Sequence, residues 1–471
     1  MMVLIFLIIM TQIAWMKMNK KNNVSRRDFL RTGAAAGLIG ISPKILWGAD
    51  APSNRVRLCF CGVHEKGRGQ EPMRWAAAMP GVEIAFVCDP DCRALDWAAE
   101  KVKGIAGKAP EKVGDFRRVL ERKDVDALFA EVPDHWHAPM AWMTMEAGKD
   151  IYCEKPCTFT PSEGDILIAV QKKTGRVFQM GNQRRSSAAY RPAVEALRAG
   201  VIGDIKYGRC WYQNTRKPIG SRVAAPVPEW LDWELWQGPA PRAPYQTNVV
   251  HYNWHWSFQY GTGEIANSAV HYVDVARWAM GLDMPNLVSA VGCSCNGDVG
   301  WDWPGLQMLS MVFPGDKMIT WEGVSSLPGK KPLDIYGGAM ILGTKGSMYF
   351  HPHDYVILYD GKGAVAKEWH PQGIRPEDCT TDMLNAPGTP WKPALDARHV
   401  ENFLAAVRAH DPSLAHSPVI DSVRSSLMTH LGNLSVRSGQ VLHVDPVTGK
   451  PQEKAAMKYW SRDYEPGWEH A

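Results

Sequence analysis

The chain has 471 residues, of which 45% are hydrophobic and 22% are charged. This length exceeds what one hydrophobic core supports, so the sequence predicts two folded domains. Of the 53 basic and 49 acidic residues, residues 1–51 hold seven and two, which leaves 46 and 47 in the rest of the chain. A nearly neutral body argues against nucleic acid and against an anionic membrane surface as partners.

Residues 1–51 have the features of an export signal. The segment 25–31, Ser-Arg-Arg-Asp-Phe-Leu-Arg, precedes a weakly hydrophobic run over 32–47 that is rich in Ala and Gly. Paired arginines before such a run are the address for twin-arginine (Tat) export of folded proteins. We therefore predict a Tat signal region over 1–51, the Tat machinery as a partner and a periplasmic location. A surface helix that carries an arginine pair is the alternative. The apolar run 1–15 is too short to cross a bilayer, so we expect no stable membrane span in the mature form.

The body opens with a strand, a glycine-marked turn, a helix and a second strand. The apolar residues 55–61 stop at Gly62, a helical pattern covers 73–79, and the apolar run 82–88 ends at Asp89. This order is typical of the opening unit of a dinucleotide-binding fold.

The turn after the first strand partly matches a phosphate-binding motif. Gly62, position 64 and Gly67 have the G-x-G-x-x-G spacing, but His64 replaces the glycine that normally lets the backbone approach a diphosphate. Asp89, at the end of the second strand, lies at the position where dinucleotide-binding folds have an acid. Such an acid accepts hydrogen bonds from ribose hydroxyls and repels a 2′-phosphate. The motif therefore favours NAD over NADP as the cofactor. A plain turn at the strand end is the alternative for Asp89.

A third strand leads to a further part of the cofactor rim. The apolar run 127–132 is followed by Pro133 at a helix start, and His135 and His137 come next. We interpret these histidines as lining the nicotinamide side or capping the helix. We predict no metal site, because a helix turns residues i and i+2 apart.

The next apolar run, 151–153, ends in Glu154, Lys155 and Pro156. A lysine fixed at the carboxyl end of a strand points into the crevice where α/β sheets bind ligands. We therefore place the site around Lys155. An exposed lysine without a function is the alternative.

In chain order, these motifs resemble the Gfo/Idh/MocA family (glucose-fructose oxidoreductase and inositol dehydrogenase). The resemblance covers nearly the whole mature chain, through the leader and the segments 62–69, 132–138, 154–156, 179–187 and 261–274. It implies an α/β fold with an N-terminal Rossmann dinucleotide-binding domain, placed at 52–178. A C-terminal substrate-binding α+β domain with an open, mostly antiparallel sheet follows at 179–471. The family commonly uses that sheet for oligomer contacts, so a homo-oligomer is expected.

The resemblance also assigns roles to residues. Lys155 matches the lysine that hydrogen-bonds the reacting hydroxyl beside the nicotinamide, His271 matches the histidine taken as general acid and base, and Glu154 matches an acid near the nicotinamide ribose. The family usually has Asp where this chain has Asn267. An amide orients a hydroxyl but cannot accept its proton, so proton transfer is concentrated on His271. The expected cofactor-binding residues are Gly62, His64, Gly67, Asp89, Pro133, His137, Glu154 and Lys155.

The same catalytic pair follows from the chemistry of alcohol oxidation. A hydride leaves carbon while a proton leaves oxygen, so the site needs a nicotinamide and a base whose pKa lies near neutrality. Histidine has such a pKa unperturbed, and a desolvated lysine approaches it. A helix over 267–280 would place Asn267, His271 and Asp274 on one polar face. A core histidine is the alternative for His271.

A tract rich in tryptophan lies between the cofactor half and His271. Its Pro and Gly residues over 226–244 predict loops, and indole faces suit the apolar faces of sugar rings. We therefore expect a small-molecule sugar or glycoside as the ligand, with an aromatic core as the alternative for any single tryptophan. The aromatic residues of the tract are Trp211, Tyr212, Trp230, Trp233, Trp236, Tyr245, Tyr252, Trp254, Trp256 and Tyr260. The residues predicted to bind substrate are Arg184, Arg185, Trp256, Asn267 and Asp274, with His251, Asn253 and His255 as further partners for hydroxyls.

Alternating apolar residues predict the strands of the second domain. Two helices, over 396–409 and 417–438, close the chain and are expected to pack on that sheet or on the first domain. The predicted strands cover 287–295, 306–313, 317–323, 335–342 and 356–359, with a hairpin turn at 343–346.

The predicted function is an exported oxidoreductase that transfers a hydride between a tightly bound nicotinamide cofactor and a ring hydroxyl, at C3, of a sugar or glycoside. Outside the cytosol a bound cofactor has no soluble pool to exchange with, so turnover has to return it to its starting state. A redox-neutral glycosidase or lyase, which oxidises, eliminates and reduces again, is the alternative. A non-catalytic sugar-binding relative is the third hypothesis, because His64 interrupts the glycine turn.

Overall fold

The structure is a computed structural model that describes residues 55–294, 300–327, 336–371 and 391–470, with side chains from residue 395 onward in the last range. The Tat signal predicted over 1–51 lies outside the described residues. Among the described helices, none is both long enough and apolar enough to cross a membrane.

Six parallel strands form the first sheet, in the order β3-β2-β1-β4-β5-β6. They are β1 Val56–Cys61, β2 Val82–Cys88, β3 Glu111–Val113, β4 Ala127–Ala130, β5 Asp150–Cys153 and β6 Phe178–Met180. The order changes direction between β1 and β4, and at such a switch point a crevice opens outside the carboxyl ends of the strands. The last strand extends just past the predicted domain boundary at 178.

Helices cover both faces of this sheet, which explains why its strands are continuous apolar runs. In β1, Leu58 and Phe60 pack toward one set of helices and Cys59 and Cys61 toward the other. The helix Trp391–Ala409, from the C-terminal part of the chain, packs here, with the Phe403 ring edge-on to that of Phe129 in β4 at a centroid distance of 5.3 Å. The other helices of this part are Gln70–Ala78, Cys92–Ala106, Arg117–Leu120, Asp134–Glu146 and Glu163–Thr174.

The second sheet has nine strands, in the order β14-β13-β12-β11-β7-β10-β9-β8-β15. They are β7 Ile205–Gln213, β8 Leu287–Cys293, β9 Leu306–Phe313, β10 Lys317–Val324, β11 Gly337–Gly343, β12 Gly346–His351, β13 Tyr355–Asp360, β14 Val365–Trp369 and β15 Leu442–His443. Strands β7 and β10 are parallel, and the other neighbouring pairs are antiparallel. The predicted fold class is therefore confirmed. The hairpin at 343–346 is also present, since Gly343 pairs with Gly346, whereas β7, β12, β14 and β15 were not predicted.

One face of the second sheet is covered by helices, among them Tyr190–Arg198, Val270–Met280 and Val419–Ser438. The opposite face is open: Val291 and Met308, paired across β8 and β9, are 66% and 58% exposed. The predicted homo-oligomer stays a prediction. The short helices are Gln183–Ser186, Trp233–Gln237, Asn253–Trp256, the π-helical Ile265–Ala269, Pro412–Leu414 and Lys454–Met457.

Candidate active site

A cavity of about 690 Å³ lies at the carboxyl ends of the first sheet, where the strand order changes direction. Its lining includes the turn after β1, the ends of β2, β4 and β5, and residues of the second part of the chain. The side chains of Lys155 and His271 both line it. The two residues predicted to be catalytic therefore face one space, although they are far apart in sequence.

The glycine turn after β1 brings the backbone close to the neighbouring strand. Gly62 has φ +82°, and a Cβ there would lie 2.3 Å from the carbonyl oxygen of Glu131. Gly69 directly precedes the helix Gln70–Ala78 and also has no room for a side chain, because its Cβ would lie 2.7 Å from Gly62 O. Gly67, chosen by spacing, instead closes a tight turn by donating its N–H to His64 O at 2.8 Å. The turn is therefore longer than the motif predicts.

The side chain of His64 contacts His251, which lies in the second part of the chain. Its ring stacks on that of His251, with centroids 3.9 Å apart and planes 16° apart. His251 Nε2 lies 2.8 Å from Asp91 Oδ2, which orients its ring. Both histidines line the cavity, so this stack borders the space beside the glycine turn.

Asp89 lies at the end of β2, where the sequence places a ribose-binding acid. Its carboxylate is buried and accepts hydrogen bonds from Val63 N–H and Asp91 N–H, both at 2.9 Å. Burial raises the pKa of Asp89 to about 7. The residue also lines the cavity, so its position fits the predicted contact with a ribose.

A cluster of charged residues surrounds the glycine turn, and of its members sequence reasoning selected only Glu154. Arg68 donates two hydrogen bonds to Asp396, at 2.7 and 3.1 Å, and its Nε lies 3.4 Å from Glu154 Oε1. Glu131 is buried, and neither of its carboxyl oxygens has a hydrogen-bond partner among the described residues. Burial, with the charge of Glu154, raises the pKa of Glu131 well above its usual value. An orphaned buried carboxyl against the turn is a group that a bound cofactor would satisfy.

His137 contacts the backbone of the segment 154–156, which follows β5. His137 Nδ1 lies 2.6 Å from Pro156 O and its Nε2 lies 2.8 Å from Val132 O. Pro133 caps the helix Asp134–Glu146 from which His137 projects. Both residues line the cavity, so His137 fixes the rim.

Lys155 is held by the helix that carries the predicted base. Its ammonium donates to Asn267 Oδ1 at 2.6 Å and to Asn267 O at 2.8 Å. Burial lowers the pKa of Lys155. Asn267 lies in the π-helical turn Ile265–Ala269, directly before the helix Val270–Met280 that carries His271. The amide that replaces the family's aspartate therefore positions the lysine.

His271 has the properties of a base. Its Nδ1 has no hydrogen-bond partner among the described residues. Burial, followed by the positive charges of Lys155 and Arg184, lowers the pKa of His271 well below 6.5. The imidazole is therefore neutral at pH 7 and can accept a proton, at a lower pKa than the unperturbed value expected from sequence.

Three residues predicted to bind substrate lie away from the cavity lining. Arg185 and Asp274 form a buried bidentate ion pair at 2.7 and 2.9 Å, and Ser425 Oγ donates to the same carboxylate at 2.6 Å. Trp256 stacks on Trp301 at a centroid distance of 4.2 Å. The substrate-binding assignments of Arg185, Asp274 and Trp256 are therefore corrected: these residues hold the fold together. Of the predicted set, Arg184 and Asn267 line the cavity.

The tryptophan-rich tract forms a small hydrophobic core of its own. Trp233 and Trp236 stack with centroids 4.9 Å apart, and Trp254 and Tyr260 belong to the same cluster. The alternative of an aromatic core thus holds for most of the tract. The residues of the tract that reach the cavity are Tyr212, Trp236, His251, Tyr252, Trp254 and His255, together with Arg216, which sequence reasoning did not select.

Two family models match the chain. One is described as an oxidoreductase family with an NAD-binding Rossmann fold and matches residues 56–182. The other is described as the C-terminal alpha/beta domain of an oxidoreductase family and matches residues 209–296. The first sheet and the turn beside it are thus an NAD-binding Rossmann domain of the oxidoreductase class. Residues 56–182 and 209–296 thus match the two domains of the Gfo/Idh/MocA family, in agreement with the resemblance of the motifs.

Curated relatives are similar to part of the chain. It is 31% identical over 226 residues to a glycosyl hydrolase family 109 protein of Saccharopolyspora erythraea, a match that covers 43% of this chain and 48% of the relative. It is 30% identical over 214 residues to glycosyl hydrolase family 109 protein 1 of Shewanella sp. (strain ANA-3), covering 41% and 46%. The chain thus spans about half the length of the curated relatives it matches.

Solved structures share the fold over most of the chain. Levoglucosan dehydrogenase in complex with NADH and levoglucosan superimposes with a TM-score of 0.61 at 18% identity, covering 82% of this chain and 99% of that one. Aldose-aldose oxidoreductase from Caulobacter crescentus, complexed with glycerol, superimposes with a TM-score of 0.60 at 17% identity, covering 83% and 100%.

Proposed function

We propose that the protein is an exported oxidoreductase that transfers a hydride between a tightly bound NAD and a ring hydroxyl, at C3, of a sugar or glycoside. The observation that carries this proposal is the pairing of Lys155 and His271 in one cavity beside the glycine turn. In alcohol oxidation, an ammonium can donate a hydrogen bond to the reacting oxygen and a neutral imidazole can accept its proton, and both groups line this cavity. The oxidoreductase family of the chain supports the reaction class.

The residues around the turn fit the cofactor. Gly62 and Gly69 would leave the backbone open to a diphosphate, Asp89 would accept hydrogen bonds from a ribose, and Glu154 would lie near the nicotinamide ribose. When bound, NAD supplies the hydride acceptor. The acid at the end of β2 disfavours a 2′-phosphate, so NAD is preferred over NADP.

The substrate hydroxyl is oriented and deprotonated by residues of this chain. Lys155 donates a hydrogen bond to the reacting oxygen, and its charge stabilises negative charge that develops there. His271 accepts the hydroxyl proton on its neutral imidazole, which lines the same cavity. Asn267 keeps the lysine in place through its two contacts.

Export and cofactor retention belong to the same proposal. The twin-arginine pattern over 25–31 would carry a folded protein to the periplasm. Nicotinamide cofactors are made in the cytosol, so an exported enzyme has to fold around one and keep it. The stack of His64 on His251 at the edge of the cavity supports retention, because it joins two distant parts of the chain beside the turn.

A cofactor assay tests the proposal. We expect the purified protein to release about one NAD, and not NADP, per chain on acid denaturation, measured by enzymatic cycling. Gly69→Ala should lower this content, because its Cβ would lie 2.7 Å from Gly62 O. The matched control is Gly104→Ala on the helix Cys92–Ala106, where a Cβ meets nothing within 4 Å. A wild-type protein that refolds and binds sugar but neither carries nor takes up NAD would instead support the non-catalytic sugar-binding alternative.

A redox-neutral glycosidase is the second candidate, because the two curated relatives described above are glycosyl hydrolase family 109 proteins. Oxidation at C3 acidifies the C2 proton, a base removes it as the aglycone leaves C1, water adds, and the ketone is reduced again. His271, as a neutral base, suits this step as well. Aryl glycosides separate the two candidates: aglycone release without an added acceptor indicates the glycosidase, and an accumulating keto-sugar indicates the dehydrogenase.

A further inference from the structure

The residues that line the candidate active site divide by charge. From the second part of the chain, between positions 183 and 352, the described lining residues include Arg184 and Arg216 but no Asp or Glu. Lys155 adds a third cation beside them. The acids of the lining lie instead toward the predicted cofactor side: Asp89, Asp115, Glu131, Asp134, Glu154 and Asp396. We call Lys155, Arg184 and Arg216 the basic end of the cavity.

The partner that Arg184 contacts directly among the described residues is a neutral one. Its NH2 donates to Tyr272 Oη at 3.2 Å, its guanidinium carbon lies 4.6 Å from the centre of that ring, and its buried Nε has no hydrogen-bond partner there. Burial raises the pKa of Tyr272 well above its usual value, so the phenol stays neutral. The charge of Arg184 lowers the pKa of Asp354. The carboxylate of Asp354, however, accepts a hydrogen bond from Ser187 and forms an ion pair with Arg398.

Unlike Arg184, the arginines Arg185 and Arg216 each form an ion pair with an acidic residue. Arg216 lies 2.7 Å from Glu264, and Arg185 is paired with Asp274. The ammonium of Lys155 contacts the amide and backbone oxygens of Asn267. Arg184 is partly exposed in the cavity lining, so an anion that enters the cavity can pair with its guanidinium. Arg184 is therefore a cation of the basic end that has no anionic partner in direct contact among the described residues.

We propose, on the basis of the sugar oxidoreductase function proposed above, that the substrate is an acidic sugar whose anionic substituent is bound by Arg184. Arginine binds a carboxylate, sulfate or phosphate through charge-assisted and often paired hydrogen bonds. Arg184 lies near enough to His271 to lower its pKa. A ring that presents its anionic group to Arg184 thus has its hydroxyls within reach of the catalytic pair.

The test uses the holoprotein and matched pairs of sugars. The panel consists of methyl α- and β-glycosides of glucose and galactose, the corresponding uronides, and the 6-sulfates and 6-phosphates of the same sugars. Affinity is measured by tryptophan fluorescence and turnover by absorbance of the reduced cofactor. We expect an acidic member to bind at least about 10-fold more tightly than its neutral partner, with a preference that falls as salt is added. The uronide, sulfate and phosphate arms identify the anionic group.

Arg184→Met should weaken binding of the acidic sugar by about 10- to 100-fold and that of the neutral partner by less than about 2-fold. Arg184→Lys should retain part of the preference, because it keeps the charge. The control is Arg209→Met on the exposed part of β7, which should leave both affinities unchanged.

Equal affinity of the wild type for neutral and acidic partners, or no binding of any acidic sugar, would overturn the inference. A neutral sugar that reduces the cofactor as well as its acidic partner, with Arg184→Met lowering both equally, would leave the proposed function standing and remove the acidic substrate. If an acidic sugar binds through Arg184 and no sugar reduces the cofactor, the proposed function fails and the assignment of Arg184 stands.

Discussion

Lys155→Met reduces sugar-dependent reduction of the bound cofactor by at least about 100-fold, while the cofactor stays in the protein. The substitution keeps the length of the side chain but removes the ammonium that lies with His271 in one cavity. The reacting oxygen then loses its hydrogen-bond donor and the charge that stabilises it. Single-turnover absorbance measures the rate, and acid release measures the retained NAD. Lys172→Met, on the exposed side of the helix Glu163–Thr174, is the control and should have wild-type turnover.

The same variant has a second readout that a merely structural lysine would not produce. Burial, followed by the charge of Lys155, lowers the pKa of His271 well below 6.5. The wild-type rate should therefore fall on the acid side only at pH values below 6.5. Without the ammonium, the pKa of His271 should rise toward its usual value, measured by NMR titration of the imidazole. Wild-type turnover in Lys155→Met, or an unchanged titration of His271, would contradict the assignment.

Asp274→Ala destabilises the fold by about 3 kcal/mol, measured as the change in free energy of urea unfolding. The carboxylate accepts two hydrogen bonds from Arg185 and one from Ser425, and Arg185 is only 4% exposed. Removing the acid leaves the guanidinium buried with Asp421 at 3.4 Å as its remaining partner. The matched control is Asp283→Ala, because Asp283 forms an exposed ion pair with Arg424 and should cost less than about 1 kcal/mol.

Activity separates this structural role from the substrate role that the sequence suggested for Asp274. Because the Arg185–Asp274 pair does not line the cavity, the folded variant should keep its KM for sugar. The double variant Arg185→Met, Asp274→Leu should recover part of the stability, since it buries neither charge alone. A raised KM with unchanged stability in Asp274→Ala would restore the substrate-binding role.

The features that follow from local chemistry could be predicted from the sequence. The first sheet is such a case, because β1, β2 and β4 are short apolar runs that are followed by Gly62, by Asp89 and, after two further residues, by Pro133. Each of these end residues marks the carboxyl edge of its strand. Strand β7 was missed because its sequence mixes Lys, Arg and aromatic residues. Its burial depends on pairing with β10 and β11, more than 100 residues away.

The candidate site was predictable as far as single residues carry their own chemistry. Lys155 and His271 could be singled out because a strand end and a helix fix them; the structure places both in one cavity, and their catalytic roles stay a prediction. Asp274 was misplaced because its partner, Arg185, is 89 residues away and invisible to a helical-face argument. Arg68 was missed for the same reason, since it acquires a role only when Asp396, 328 residues later, comes beside it.

The last of these contacts bears on how the protein is made. The strands of the cofactor domain are finished at Met180, but Phe403 covers β4 and Asp396 holds Arg68 in the glycine turn. A nascent chain whose helix Trp391–Ala409 is still in the ribosome therefore leaves part of an apolar sheet face uncovered and the glycine turn without its contact to Asp396. We expect stable loading of the nucleotide only once nearly the whole polypeptide has been translated.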